Sequence, residues 1–303
     1  MKKTVLFVSI TCLVSWALAL TFYLSGFKFQ GAWGIGLGVI YMLIPMTVGL
    51  IIQKLFYKQE VKESWQISFR INKWFLLAWL LPPFFNILTI FISLLFPQVS
   101  YSPDMSGIIE HFAKSVPPEK IAATKAAVAS MPFYLIMLIT LVQGLVAGIS
   151  INGLVACGEE FGWRGFMFSE LKHLNFWKAS VIIGAVWGIW HFPLILMGHN
   201  YPEHNVAGVF MMTLFCILSG PLFMYVTIKT RSVIAAAIMH GTLNGTAGLA
   251  LMVVKGGNDL IVGMTGAAGM IAIFLSVAGL YLVDKLVLKE NIMSGTVAEA
   301  LEK

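Results

Sequence analysis

Apolar stretches of about 20 residues recur along this chain of 303 residues, and they limit what it can fold into. A helix needs about 20 apolar residues to cross a bilayer core that is about 30 Å thick. Hydrophobic residues make up 58% of the sequence and charged residues only 11%. The sequence therefore predicts an all-α, polytopic membrane helical bundle that forms a single domain over residues 1–303.

Eight apolar segments are long enough to be membrane spans. They lie at about 4–24, 33–55, 74–96, 132–156, 179–198, 206–228, 232–254 and 261–287. The first exceeds the roughly 7–15 apolar residues of a cleaved signal peptide, so we expect it to be retained. The long polar connection 97–131 is expected to carry a short surface helix at 118–129, which starts at a proline. The polar tail 289–303 is expected to be frayed and cytoplasmic.

The distribution of lysine and arginine predicts the orientation of this bundle. With eight spans and a cytoplasmic N-terminus, five of the 20 cations fall outside, and the other 15 fall inside. The five are Lys28, Lys114, Lys120, Lys125 and Lys255. Cytoplasmic loops carry the excess of cations in membrane proteins, so we expect both termini in the cytoplasm of a multi-pass protein of the cell membrane.

Composition also narrows the possible partners. The net charge of +6 is spread between the helices instead of forming one basic stripe, which argues against nucleic acid and favours membrane lipid as a partner. Three cysteines, Cys12, Cys157 and Cys216, lie in or near apolar runs without the spacing of a metal site. We interpret them as packing residues.

Glu159, Glu160 and Arg164 form the first of three polar clusters in this apolar chain. If the fourth helix continues through them, Glu160 and Arg164 share one face and can form an ion pair, and Glu159 points elsewhere. Ionisable groups in or beside membrane helices are costly and usually mark a functional cavity. The alternative is a solvated helix end with a surface salt bridge.

Two further clusters lie inside predicted spans. His191 follows Trp187 by one turn and lies ~20 Å along its helix, and His240 and Asn244 share a face at ~14 and ~20 Å along theirs. Buried histidines bonded to backbone carbonyls, or hydrogen bonds between helices, are the structural alternatives. The comparable depths of His191, His240 and Asn244 favour one shared cavity.

The four other histidines look different. His111, His173, His199 and His204 fall in connections between spans. We therefore expect all four to be surface residues.

These motifs resemble those of the CPBP family, the CAAX proteases and bacteriocin-processing enzymes, also called the Abi family. Its members are intramembrane endopeptidases related to the type II CAAX prenyl endopeptidase. The family pattern is Glu-Glu-x-x-x-Arg, then Phe-x-x-x-His, then His-x-x-x-Asn. The matching positions are Glu159-Glu160-x-x-x-Arg164, Trp187-x-x-x-His191 and His240-x-x-x-Asn244, within about 155–250. Trp187 departs from the phenylalanine of the pattern but keeps an aromatic wall.

The resemblance implies an eight-helix bundle with a cavity open to the cytoplasm. It also implies that Glu159, His191, His240 and Asn244 are the catalytic group. Glu159 and His191 would position and deprotonate water, and His240 and Asn244 would donate hydrogen bonds to the oxyanion. Glu160 and Arg164 would be supporting residues, or Arg164 would meet a carboxylate of the substrate.

Metal dependence stays open at this point. Glu159, His191 and His240 could ligate zinc and leave its fourth position open, although no His-Glu-x-x-His sequence is present. We expect metal-independent activation of water.

The primary hypothesis is an endopeptidase that cuts a membrane-associated peptide of prenylated or bacteriocin type. An immunity protein that binds a peptide without cutting it could use the same cavity. A proton-coupled transporter is the third alternative, although we find no repeated halves in the sequence.

Overall fold

The computed structural model describes residues 2–113 and 118–303, and helices dominate this part of the chain. The α-helices, in chain order, are α1 Lys2–Leu24, α2 Gly31–Leu50, α3 Lys73–Ser93, α4 Ser106–Ala113, α5 Pro118–Ser130, α6 Phe133–Ile149, α7 Ile151–Glu160, α8 Phe168–Leu171, α9 Phe176–Trp190, α10 Phe192–Leu196, α11 Asn205–Thr230, α12 Val233–Thr246, α13 Ala267–Leu282 and α14 Val297–Glu302. Shorter π- or 3₁₀-helical segments are Ile51–Phe56, Phe161–Met167, Ala247–Leu251, Val283–Leu288 and Ile292–Ser294. Two strands, β1 Val99–Tyr101 and β2 Val254–Gly256, pair antiparallel.

Six helices in the described ranges are long and apolar enough to cross a membrane. They are Lys2–Leu24, Gly31–Phe56, Lys73–Ser93, Asn205–Thr230, Val233–Leu251 and Ala267–Leu288. A bent pair, Phe133–Ile149 with Ile151–Leu171, gives a seventh candidate. The fifth predicted span, 179–198, corresponds to α9, whose 15 residues extend ~22 Å, less than the bilayer core. The structure therefore supports a helical membrane protein with six or seven candidate spans.

The fourth predicted span, 132–156, differs from the observed helices. It breaks at Ser150, where the chain bends by 50°, and the second part continues to Leu171. Hydropathy predicts that this span ends near residue 156, because Glu159, Glu160 and Arg164 make the following turns polar. These side chains are buried inside the protein, so the helix does not end there.

One end of the bundle gathers both termini, and we call it the terminal end. Lys3 Nζ donates to Gln53 Oε1 at 2.6 Å and to Glu170 Oε1 at 2.7 Å. At the other terminus, Lys303 Nζ donates to the carbonyl of Glu290 at 2.8 Å. Lys229 in turn pairs with Glu290. The connections 51–72, 171–175 and 229–232 therefore lie at the same end as residues 2–3 and 284–303.

The opposite end, which we call the loop end, gathers the remaining connections. The strands β1 and β2 pair there, and the segment 97–131 includes the surface helix α5, close to the predicted 118–129. Tyr201 donates its hydroxyl to the carbonyl of Thr265 at 2.6 Å, and His204 Nδ1 lies 2.6 Å from Asp259 Oδ1. The described connections 25–30, 94–113, 118–132, 197–204 and 252–266 thus lie together, one bundle length away from the termini.

The C-terminal tail is folded, contrary to the expectation that it is frayed. Thr296 and Glu299 form a reciprocal capping box at the start of α14. The backbone N–H of Val297 donates to the carbonyl of Leu174 at 3.0 Å, and Val297 and Met293 are buried. A few apolar residues within this polar segment fix the tail against the terminal end of the bundle.

Glycines allow α12 to approach α6 and α7 closely. A Cβ atom on Gly241 would lie 2.4 Å from the backbone nitrogen of Gly153, and one on Gly148 would lie 2.0 Å from the hydroxyl of Thr242. Small residues permit such backbone contact between membrane helices. This packing brings the histidine of α12 against the end of α7, where the adjacent glutamates lie.

Candidate active site

Glu159, Trp187, His191, His240 and Asn244 line one cavity of about 300 Å³. They come from α7, α9, the junction of α9 with α10, and α12, which are separated in sequence and packed together in space. Apolar side chains from α2, α11 and α12 form part of the remaining wall, among them Met42, Met212, Phe215 and Leu243. The structure therefore brings the three motifs to a single void.

Glu159 is the carboxylate of the adjacent pair that faces this cavity. Its side chain is only 2% exposed, and its Oε2 accepts a hydrogen bond from Trp187 Nε1 at 2.6 Å. Hydrogen bonds from a neutral donor to an ionised carboxylate are short and strong. Trp187 thus fixes the orientation of the carboxylate at the cavity wall.

Glu160 and Arg164 lie behind the wall and are completely buried. Arg164 Nη1 lies 3.1 Å from both carboxylate oxygens of Glu160, which confirms the predicted pairing on one helix face. The guanidinium carbon lies 4.5 Å and 4.3 Å from the ring centres of Trp187 and Phe223. The alternative of a solvated helix end is wrong, and a role for Arg164 in meeting a substrate carboxylate has no support because its side chain does not reach the cavity.

His191 has one committed nitrogen and one available nitrogen. Its Nδ1 lies 2.8 Å from the carbonyl oxygen of Trp187, one turn back. Because a carbonyl can only accept, Nδ1 carries the proton and Nε2 carries the lone pair in the neutral ring. The structural alternative, a histidine bonded to a backbone carbonyl, describes Nδ1 correctly, but the same ring also lines the cavity.

His240 is held by the second glutamate. Its Nδ1 lies 2.8 Å from Glu160 Oε1, so the carboxylate bridges His240 and Arg164. Asn244 lies one helical turn further along α12, and its side chain is exposed to the cavity. The shared face predicted for His240 and Asn244 therefore points to the same void as Glu159.

His199 was expected on the surface, and this expectation is wrong. It is half-buried, lines the cavity, and packs edge-on against Phe29 with 5.3 Å between the ring centres. Burial lowers the pKa of His199 to about 4. Sequence position could not reveal this, because the loop that follows the short helix α10 folds back over the cavity.

The other histidines have different outcomes. His173 is exposed, as expected, and His204 is half-buried and pairs with Asp259. The side chain of His111 lies outside the described part of the chain.

In the described part of the chain, the candidate zinc ligands Glu159, His191 and His240 are not grouped at the spacing of a metal site. Zinc in proteins takes three or four ligands at about 2.0–2.3 Å. Within residues 2–113 and 118–303, no three His, Cys, Asp or Glu side chains are grouped to hold a metal ion. Glu159 Oε2 accepts from Trp187, and the Nδ1 atoms of His191 and His240 pair with a carbonyl and a carboxylate, so the Nε2 atoms are the ring nitrogens that a metal could use.

The cavity extends towards the loop end of the bundle. Phe29, His199, Asn200 and Thr265, which all lie at that end, contribute to its lining. The distribution of cations predicts cytoplasmic termini, and the family resemblance implies a cavity open to the cytoplasm. These two expectations are incompatible, because the termini and the mouth of the cavity lie at opposite ends.

Comparison with known proteins places similarity on the segment that holds the motifs. Residues 131–246 match the family described as type II CAAX prenyl endopeptidase Rce1-like. The chain is also 35% identical over 97 residues to CAAX prenyl protease 2 of Methanococcus maripaludis. That alignment covers 30% of this chain and 36% of the relative, so the match spans about a third of either protein. The family match includes Glu159, His191, His240 and Asn244.

Proposed function

We propose, from the premise that residues 131–246 of this chain belong to the CPBP family, that the chain is an intramembrane endopeptidase. One observation carries the proposal. Glu159, His191, His240 and Asn244 line the same cavity, although they come from three separate segments. A carboxylate, two imidazoles and a carboxamide around one void can activate water and stabilise an oxyanion.

In this proposal Glu159 and His191 activate a water molecule. The water oxygen attacks the peptide carbonyl, its proton passes to Glu159, and the same proton then goes to the leaving amine. Trp187 holds one carboxylate oxygen, and the lone pair on His191 Nε2 can orient the water. A positioned general base typically contributes about 10²–10⁴-fold to the rate.

His240 and Asn244 are proposed to stabilise the oxyanion. With His240 protonated, its Nδ1–H donates to Glu160 and its Nε2–H is free to donate to the developing negative charge. Two negative charges, on Glu159 and Glu160, would then be balanced by two positive charges, on Arg164 and His240. No net charge would be left in the low-dielectric interior. The amide of Asn244 would supply the second donor.

We propose that the activation of water is metal-independent. The support is that, within the described residues, no three His, Cys, Asp or Glu side chains are grouped to hold a metal ion. Metal analysis of the purified, active protein tests this. Substoichiometric metal together with full activity after chelation is expected, and loss of activity that zinc restores would contradict the proposal.

We further propose that the chain makes eight spans in the cell membrane, with both termini in the cytoplasm. The support is the positive-inside distribution and the eight apolar helical regions, of which α9 is the short one. The substrate is proposed to be a membrane-associated peptide, of prenylated or bacteriocin type. The Methanococcus relative is named a CAAX prenyl protease, which supports the prenylated class for that protein.

Cleavage of a peptide library by the purified protein in detergent tests the activity. Glu159→Gln and His191→Ala are expected to lower cleavage by at least about 10²-fold, as the loss of a general base does. Glu63→Gln and His173→Ala are matched controls, because both residues are exposed at the terminal end of the bundle. Their cleavage is expected to equal that of the wild type.

Equal cleavage by the wild type and both cavity variants would end the peptidase assignment. If no peptide is cut but a peptide binds, and Glu159→Gln leaves the biological phenotype intact, the immunity protein is the better assignment.

A further inference from the structure

The cavity has a mouth at one end of the bundle only, within the described residues. Its lining includes Phe29, His199, Asn200 and Thr265 from the loop end, and its inner part is formed by Glu159 and His240. No residue of the connections at the terminal end, within residues 2–113 and 118–303, lines it. A peptide can therefore approach the candidate catalytic group from the loop end.

Buried side chains close the path from the terminal end. Directly behind Glu159 lies the pair Glu160 and Arg164, both 0% exposed. Trp163 and Phe166, also completely buried, follow along the same helix. Beyond them Lys3 lies 5.3 Å from the ring centre of Phe166. The layers between the cavity and the terminal end are packed side chains, in which no passage for a peptide is present in the described structure.

Most of the described cations lie at the closed end. Among the described residues, 14 lysines and arginines lie in or beside the connections of the terminal end. They are Lys2, Lys3, Lys54, Lys58, Lys62, Arg70, Lys73, Lys172, Lys178, Lys229, Arg231, Lys285, Lys289 and Lys303. At the loop end the described chain has Lys28, Lys120, Lys125 and Lys255. Cations near the ends of spans favour the cytoplasmic side, so this asymmetry places the terminal end in the cytoplasm.

From the position of the mouth and the asymmetry of charge, we infer that the cavity opens on the non-cytoplasmic side of the membrane. The inference rests on the proposed function for its meaning: the substrate would be a peptide segment presented on the outer side, after export. A peptide whose cleavage site stays in the cytoplasm would meet the closed end. This replaces the expectation, drawn from the resemblance, that the cavity faces the cytoplasm.

The chemistry of the mouth narrows the substrate further. His199 is neutral near pH 7, since burial lowers its pKa to about 4, and Asn200, Thr265 and Phe29 are uncharged. The wall also includes apolar side chains such as Met42 and Phe215. A segment with apolar side chains and few charges, held at the outer membrane surface, suits this path.

Labelling of single cysteines tests the orientation without requiring any peptidase activity. Cys12, Cys157 and Cys216 are first replaced by alanine. Two exposed lysines then form a matched pair: Lys28→Cys at the loop end, next to Phe29, and Lys62→Cys at the terminal end. Intact protoplasts are treated with a membrane-impermeant maleimide, and lysed protoplasts give the total label.

We expect Lys28→Cys to be fully labelled in intact protoplasts. We expect Lys62→Cys to be labelled only after lysis. The reverse pattern overturns the inference. Cleavage in detergent does not depend on sidedness, so it separates the two proposals. If the protein labels as expected but cuts no peptide, the inferred orientation stands and the proposed function is refuted. If the protein cuts peptides but labels in reverse, only the inferred orientation is refuted.

Discussion

Trp187 donates its indole N–H to Glu159 Oε2 at 2.6 Å, and this bond ties the second motif to the first. The same ring lies 5.8 Å from the ring of His191 and 5.5 Å from that of His240, measured between centres. The guanidinium of Arg164 also packs against this ring. A phenylalanine, which the family pattern places here, would keep the aromatic packing but has no donor for the carboxylate.

Replacing Trp187 by phenylalanine therefore removes one hydrogen bond and keeps the wall. A hydrogen bond to a charged group contributes about 1.5–3 kcal/mol, so we expect kcat to fall by roughly tenfold or more with little change in KM. Steady-state cleavage of a fluorogenic peptide measures both constants. Trp177→Phe, at a partly exposed position of the same helix, is the control and should leave kcat unchanged. Unchanged kcat in Trp187→Phe would show that the indole donor does not position Glu159.

Breaking the buried pair of Glu160 and Arg164 should destabilise the protein. Arg164→Met leaves the buried Glu160 carboxylate without its guanidinium, and removing one partner of a buried ion pair costs about 3–5 kcal/mol. Thermal unfolding in detergent should show a clear fall in Tm. Lys3→Met breaks a partly exposed ion pair with Glu170 and should cost less than about 1 kcal/mol. Equal Tm values for Arg164→Met and the wild type would contradict the structural role.

A side chain at Gly241 should force α12 away from α7. Even alanine would place its Cβ 2.4 Å from the Gly153 nitrogen, and the atom it meets is backbone that cannot rotate away. We expect Gly241→Ala to lower Tm and peptidase activity together, because α12 also carries His240 and Asn244. Gly36→Ala is the control, since its Cβ would meet no atom within 4 Å in α2. Alanine favours helix over glycine, so that variant should be as stable as the wild type or more stable.

Protonation of His199 should weaken the fold in mild acid. Burial holds its pKa at about 4 in the folded protein, below the ordinary value of 6.5, so the unfolded chain binds the proton first as pH falls. The contribution of His199 to the free energy of unfolding is therefore fully present above pH 6.5 and is lost as pH falls from 6.5 towards 4. The Tm of His199→Gln should fall less between pH 7.5 and pH 5 than the Tm of the wild type does. His173→Gln, at an exposed histidine, should lose as much as the wild type. Identical pH dependence in His199→Gln and the wild type would refute the assignment.

The sequence predicted much of the site because the three motifs carry their own geometry. Spacing of four residues on a helix was enough to pair Glu160 with Arg164 and to align His240 with Asn244. The role of Trp187 was underestimated, since a sequence pattern shows that a ring is aromatic and not where its N–H points. His199 was missed because a loop position by itself does not show that the loop folds over a cavity.

The sequence by itself also determined the membrane helices and their expected orientation, because both follow from local chemistry. Apolar runs of spanning length required membrane helices, because a backbone in lipid must satisfy its hydrogen bonds internally. Lysines and arginines between those runs set the expected sidedness. Only the tertiary structure decided that the motifs share one void, that Glu159 and not Glu160 faces it, and that the void opens opposite the termini. These depend on how helices distant in the chain pack, and that packing follows from close contacts such as Gly241 with Gly153, which no single segment encodes.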